Sequence, residues 1–321
     1  MLVGSDLEAA RNSPLWAVTS YFNPVGWRRR RANYLRFRRS LTVPLVTVEL
    51  SFGDTFELDE GDADILVRIR GRDVMWQKER LLNLAVAQVP RDCDKIAWID
   101  CDVVFADHAW PARAARALDE HALVQLFTER CDLPRDVDPD HPGARDRRAS
   151  AESVVARILR GAAEPVDLYG ADSPIERGST AGLAWAARRD TLERHGLYDT
   201  CIIGTGDRTI LCAALGEFEH GMRSAGMREP RRRNYLAWAG PFHESMRGRV
   251  GNIDGRLYHL WHGDLRDRRY RLRHEQLAAF DFDPVADLAL EENGAWRWNS
   301  DKSDMHAFVR RYFAERQEDG G

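Results

Sequence analysis

The stretch Lys95-Ile96-Ala97-Trp98-Ile99-Asp100-Cys101-Asp102-Val103-Val104-Phe105 constrains the fold of this chain more than any other. An apolar run of strand length leads into two carboxylates separated by one residue. Side chains alternate along a strand, so Asp100 and Asp102 are expected on one side if the strand holds that far. Two like charges there repel unless something positive sits between them. A hard divalent cation carrying a phosphorylated ligand meets that need.

At 321 residues the chain can form one large domain or two modest ones, with ample core in either case. With 44% hydrophobic and 31% charged residues, it reads as an ordinary soluble globular protein. No stretch approaches the roughly 20 apolar residues of a membrane span, and Met1 to Ser13 shows no secretory signal. Cys93, Cys101, Cys131, Cys201 and Cys212 form no C-x-x-C pair, so reduced thiols in a cytoplasmic setting are expected rather than structural zinc. The net charge of -4 does not mark the whole molecule as a polyanion binder. Arginines nonetheless cluster at Arg28 to Arg31, at Arg36, Arg38 and Arg39, and at Arg231 to Arg233. They read as a solvated helix face, or as a patch for an anionic acceptor, a membrane surface or nucleic acid.

Strand and helix signals alternate along the first half. Leu15 to Phe22 reads as a buried strand closed by Asn23-Pro24, Trp27 to Leu41 as a basic helix, and Val43 to Leu50 as a second strand. A short strand at Ile65 to Ile69 precedes a helix from Val74 to Gln88, capped by Asp73 and stopped by Pro90. The strand with the Asp pair follows, then a helix after Asp107 and a strand from Ala122 to Phe127. Cys131 to Ala149, with three prolines, reads as a surface loop, and Ser150 to Arg160 as a short helix. Later pieces are Thr180 to Ala187, a helix Arg189 to His195, and a loop Ile202 to Arg208. This order predicts an α/β fold with a mostly parallel central sheet, flanking helices and a less regular C-terminal half. Ligands in such sheets bind beyond the carboxyl ends of strands, where Asn23, Glu49 and the Asp pair fall.

Two chemistries use an acid pair of this kind. Asp100-Cys101-Asp102-Val103-Val104 superficially fits the nucleophile motif of haloacid dehalogenase-type phosphatases. Their later acidic motif has its best match in Gly206-Asp207-Arg208-Thr209-Ile210-Leu211, which lacks the second acid. The other user is the GT-A class of nucleotide-sugar glycosyltransferases. Trp76 to Asn83, Ala97 to Phe105, Trp110, Gly182 to Arg188, Ile203 to Arg208, and His259-Leu260-Trp261-His262-Gly263 followed by Arg269-Tyr270 resemble a bacterial and phage glycosyltransferase-like family of that fold. The resemblance implies one GT-A-like domain over 1–321, with a nucleotide-sugar half (1–127), an acceptor and metal half (128–285) and a C-terminal packing extension (286–321). It implies a Mn²⁺ or Mg²⁺ ion holding the diphosphate at Asp100 and Asp102, and a donor that is a nucleoside diphosphate sugar, UDP-linked. The acceptor hydroxyl is unidentified, on a glycan, a small molecule or a nucleic acid.

In this frame Asp102 is the first choice for direct ligation, and Asp100 contacts the ribose, the ion or its water. A late histidine, His259 or His262, adds a further ligand, with His262 slightly preferred because Gly263 lets backbone approach the phosphates. Asp207, on the Gly204-Thr205-Gly206-Asp207 loop, is the candidate base for an inverting transfer, or else a turn residue at a helix start. Tyr21, Asn23 and Glu49 are expected at base and ribose, and Lys78 at the diphosphate. Trp76 and Asn83 are included among the donor contacts. Gly178 to Gly182 lines the sugar pocket, and Trp185 stacks on the sugar or fills core. Glu79 and Arg80 read as surface pairs. The rivals are a sugar-phosphate nucleotidyltransferase, which would carry a Gly-rich loop where Tyr21-Phe22-Asn23-Pro24 stands, and a non-enzymatic carbohydrate- or nucleic-acid-binding protein.

Overall fold

The computed structural model describes residues 13–162, 179–269 and 272–320. Gly178 and Tyr270 lie outside them. The apolar runs of the first half become strands β1 (Trp16–Phe22), β2 (Leu45–Ser51), β3 (Ile65–Arg70) and β4 (Lys95–Ile99), separated by helices α1 (Arg28–Ser40) and α2 (Lys78–Val86). Then come β5 (Val103–Phe105), α3 (Trp110–Glu120), β6 (Leu123–Gln125), β7 (Glu129–Asp132), β8 (Ala151–Ser153), α4 (Val154–Leu159), β9 (Ser179–Thr180), β10 (Ala184–Arg188) and α5 (Arg189–His195). The rest comprises α6 (Gly206–Leu215), α7 (Phe218–Ser224), α8 (Glu229–Met246), β11 (Val250–Asn252), β12 (Arg256–His259), α9 (Leu272–Ala278), α10 (Pro284–Asp287), β13 (Leu288–Leu290), β14 (Trp296–Trp298) and α11 (Ser303–Ala314).

Seven strands form the central sheet in the order β11-β6-β10-β4-β1-β2-β3. All pairings are parallel except the two made by β10, which runs antiparallel between β4 and β6. β1 is buried along its whole length, as a strand covered on both faces must be. One hydrophobic cluster reaches from Trp16 and Val18 of β1 through Leu81 and Leu82 of α2 to Val309 and Phe313 of α11. Among the described residues no helix is long and apolar enough to cross a membrane.

A second sheet, β5-β12-β7-β8-β9, stands beyond the carboxyl end of β4. The expected loop after Cys131 and helix from Ser150 give way at their edges to β7 and β8. The sequence hid these strands because Glu129-Arg130-Cys131-Asp132 is polar, and its partner β12 lies more than a hundred residues away. The helix predicted from Val74 starts only at Lys78. Asp73 does not cap it; its carboxylate accepts a hydrogen bond from Trp298 N at 2.8 Å.

The arginine-rich face of α1 is largely consumed within the molecule. Arg30 pairs with Glu318, Arg36 with Asp138, and Arg38 with Asp64. Arg31 donates to the carbonyl of Glu57. These arginines tie loops to the sheet rather than forming a bare polyanion surface.

Candidate active site

β4 ends at Ile99, and residues 100–102 turn before β5 begins. The period-two alternation therefore stops one residue too early, and the two acids face different partners. Asp100 Oδ1 accepts a hydrogen bond from Lys78 Nζ at 2.7 Å, and the same ammonium reaches Asp207 Oδ2 at 2.6 Å. Asp102 turns instead toward β12. Its Oδ2 lies 3.3 Å from His262 Nε2, and its Oδ1 lies 4.0 Å from His259 Nε2.

Strand register explains that meeting. β5 pairs antiparallel with β12 so that Val103 opposes His259, and Leu260 N donates to the Asp102 carbonyl at 2.8 Å. β7 lies parallel on the other edge of β12 and sets Asp132 opposite His259. Asp132 Oδ1 is 2.9 Å from His259 Nδ1. On α1, Asn33 Nδ2 donates to the Trp261 carbonyl at 3.0 Å and holds the segment between the two histidines.

The acid side of the site is packed tightly. Lys78, Glu79 and Gln77 are buried at the start of α2. Burial disfavours charge on Lys78, yet Asp100 and Asp207 hold its ammonium well above the usual range. Burial raises Asp100 and Asp207 in turn, against the pull of Lys78. Glu79, expected in a surface pair, is buried and pushed up to about 8 by desolvation, against Lys78 and with Asp207 reinforcing. The glycines of this region are there for room. A Cβ on Gly206 would collide with the Glu79 carboxyl, and one on Gly182 would lie 2.8 Å from Asp207 Oδ2. Gly204 and Thr205 both take left-handed backbone conformations, which start α6 with Asp207 in its first turn.

The other side is basic. Arg268 donates through Nη2 to His262 Nδ1 at 2.6 Å and to the His262 carbonyl at 2.8 Å. Arg316 donates to the Tyr312 hydroxyl at 3.0 Å and to Glu318 at 2.6 Å, and Arg30 shares that carboxylate at 2.9 Å. Arg273 also donates to the Tyr312 hydroxyl. Three groups register the resulting positive potential. Burial would raise Glu318, but Arg30, Arg316 and Arg268 bring it down to about 2. Burial would raise Tyr312 as well, yet Arg316, Arg273 and Arg268 leave it below the usual phenol value. His262 is driven well below the usual imidazole range by burial, with Arg268 adding to it. The extension after residue 286 thus does more than pack, since Tyr312, Arg316 and Glu318 enter the site.

The remaining residues singled out from the sequence divide. Tyr21 is buried and donates to Glu57, and Asn23 Nδ2 donates to both Glu57 oxygens at 2.9 and 3.0 Å. Glu49 is buried behind that loop, its Oε1 accepting from Glu57 N at 2.6 Å, so it anchors the loop instead of facing open space. Trp76 sits edge-on to Phe22 and stacks on Phe313, with the Arg316 guanidinium over its ring. Trp185 is core: it stacks on Trp98, and its indole N–H donates to the Ala181 carbonyl. Asn83 turns away from the acids, accepting from Leu197 N at 2.7 Å and donating to Asp199. It lines a cavity of about 770 Å³ with Arg80, His195, Trp238 and Trp296. Asp100, Asp102, Asp207, His259 and His262 do not line it. Glu57, Asp132, Arg268 and Glu318 were not visible as site residues, because their partners are distant in sequence.

Among the described residues, the group of His, Cys, Asp and Glu side chains close enough to share an ion is Asp102, His259 and His262, with ligand atoms within 4.8 Å of one another. Asp100 falls outside it, so the expected joint grip by both acids is not what this geometry offers. The donor set, one carboxylate and imidazole nitrogen, suits a divalent ion whose remaining positions phosphate oxygens and water would fill. Asp102 Oδ1 is buried and has no hydrogen-bond partner among the described residues, as an oxygen kept for a cation would be.

No family model matches this chain, and no curated protein does either. Among solved structures it is similar to glucosyl-3-phosphoglycerate synthase from Mycobacterium tuberculosis in complex with phosphoglyceric acid, at 14% identity and a TM-score of 0.40, over 92% of this chain and 90% of that one. It is also similar to S. aureus TarS 1–349 in complex with UDP-GlcNAc, at 10% identity and a TM-score of 0.37, over 95% of this chain and 73% of that one. A likeness this distant says nothing about substrate or mechanism.

Proposed function

We propose that this chain is a metal-dependent glycosyltransferase that moves a sugar from a UDP-linked donor to an acceptor hydroxyl, with inversion at the anomeric carbon. The observation that carries the reading is the position of Asp102 between a basic wall and an acid cluster. A diphosphate leaving group is anionic and finds the positive potential of Arg268, Arg316 and Arg30 on one side. An acceptor hydroxyl must lose a proton, and Asp207 stands on the other side to take it.

A Mn²⁺ or Mg²⁺ ion held by Asp102 and one of the two histidines would act as Lewis acid toward the departing phosphate. Lys78 keeps Asp100 and Asp207 together and stops their charges from repelling the donor. Burial raises Asp207 above an exposed carboxylate, which makes it a better base for a hydroxyl proton. Gly182, without a side chain, gives that carboxylate its space. Glu57 and Asn23, with the buried Tyr21 hydroxyl behind Glu57, form a polar rim at the end of β1 suited to a nucleoside base and ribose.

The test is a thermal-shift panel of nucleotides and nucleotide sugars, with Mn²⁺ and with EDTA, followed by donor hydrolysis. A ligand that binds only the folded state raises the midpoint, by about 2.7 kcal/mol of stability at a hundredfold excess over Kd. UDP or a UDP-sugar is expected to raise it only with Mn²⁺ present. Equal shifts in EDTA would remove the metal from the proposal, and no shift with any nucleotide would remove the activity.

A further inference from the structure

We propose that Asp132 and Arg268 are positioning residues that fix opposite ring tautomers in the histidine pair. His259 Nε2 with Asp102 Oδ1 then forms the metal-binding face, and His262 is a hydrogen-bond donor beside it. The inference rests on the metal reading of the site, but the choice between histidines does not depend on donor or acceptor.

A neutral imidazole carries one N–H, and the other nitrogen accepts. Asp132 is a carboxylate that can only accept, and its Oδ1 lies 2.9 Å from His259 Nδ1. The proton of His259 is therefore on Nδ1, and its Nε2 lone pair is bare. Arg268 can only donate, and its Nη2 lies 2.6 Å from His262 Nδ1. There the proton must be on Nε2. The two Nε2 atoms face each other at 3.0 Å, which needs one donor and one acceptor, and this assignment supplies both. With His262 as ligand, its Nδ1–H would point at a guanidinium N–H, donor against donor.

Asp102 agrees with the same assignment. Its Oδ2 lies 3.3 Å from His262 Nε2, within reach of that N–H, while its buried Oδ1 has no hydrogen-bond partner among the described residues. A cation that takes the His259 lone pair and Asp102 Oδ1 leaves the His262 N–H to turn onto Asp102 Oδ2. A carboxylate behind a ligating imidazole also orients the ring and strengthens it as a ligand.

The decisive measurement is made on metal-free, full-length protein labelled with ¹⁵N at histidine. Long-range ¹H–¹⁵N spectra should show His259 as the Nδ1–H tautomer and His262 as the Nε2–H tautomer. The reverse pattern overturns the proposal without any variant. Mn²⁺ uptake, followed by loss of the free-ion EPR signal, should then weaken about 10–100-fold in Asp132→Asn and at least as much in His259→Gln. His262→Gln should stay within about threefold of wild type, since the amide can still donate to Asp102. Equal losses in His259→Gln and His262→Gln overturn the assignment while leaving metal binding intact. Wild-type protein that takes up no Mn²⁺ removes the metal reading as well.

Discussion

Two walls flank Asp102, and they handle buried charge in opposite ways. On the acid wall Asp100, Asp207 and Glu79 crowd around one ammonium, Lys78. That wall neutralises itself, because Lys78 bridges two carboxylates and Glu79 is driven toward its protonated form. On the basic wall Arg30 and Arg316 share the carboxylate of Glu318, with Arg268 and Arg273 close by. Its potential stays positive, strong enough to pull Glu318 down and to hold Tyr312 below its ordinary value. A buried charge is costly unless paired, so a wall left positive is suited to an anionic ligand, and a self-compensated one to a neutral hydroxyl. On the proposed function the difference also gives the transfer a direction: leaving group to the arginines, proton to the acids.

The comparison breaks first at its centre. Asp102→Ala is expected to cut donor hydrolysis and transfer by roughly 10³-fold or more while leaving the thermal midpoint of the apo protein little changed. Metal-dependent turnover retained in that variant would separate the two walls from the chemistry. Asp207→Asn tests the acid wall: transfer should fall by about 10²–10³-fold, with the nucleotide-induced thermal shift preserved. A lost shift would make Asp207 part of donor binding instead.

The basic wall is sharpened by Glu318. Its folded pKa of about 2 lies below the ordinary 4.5, so its contribution is full above pH ~4.5 and is lost as pH falls through about 2. Glu318→Gln should therefore lose about 3 kcal/mol at pH 7, and the gap to wild type should narrow below pH ~4.5. Urea denaturation at pH 7 and pH 3.5 reads this directly, and a constant gap would count against the electrostatic account. The smallest effect is at Glu79, whose folded pKa of about 8 lies above the ordinary 4.5. The folded state keeps a proton that the unfolded chain releases between those values, so stability falls as pH rises through that window. Glu79→Gln removes this titration and should gain on wild type by about 1 kcal/mol between pH 5 and pH 6. A gain that does not grow with pH would place the cost of Glu79 elsewhere.

Much of the frame was legible. β1, β2 and β4 follow from β-branched and aromatic runs, and α5 was placed from Arg189 to His195 by its spacing. The Asp pair, the Gly204 to Asp207 loop and the His259 to Gly263 segment all reach one region, as their order suggested. Their partners were less visible. The Asp pair divides because the strand ends at Ile99, and no periodicity announces where a buried strand stops. Asn83 and Glu79 exchanged expected roles, the first turning to the rear cavity and the second into the acid wall, because helix phase cannot tell which face the sheet covers. Glu49 was assigned to a ligand but anchors the Glu57 loop, whose fold back over β1 leaves no local signal.

The sequence by itself determined the alternation of strands and helices and the residue types that chemistry requires, since both are written in local patterning and side-chain identity. Only the tertiary structure decided which acid faces which partner. Asp102 meets His259, and His259 meets Asp132, through the register of β12 with β5 and β7, both more than a hundred residues before it along the chain. Register between distant strands is fixed by packing and backbone hydrogen bonds formed together on folding, so no single stretch of the chain contains it.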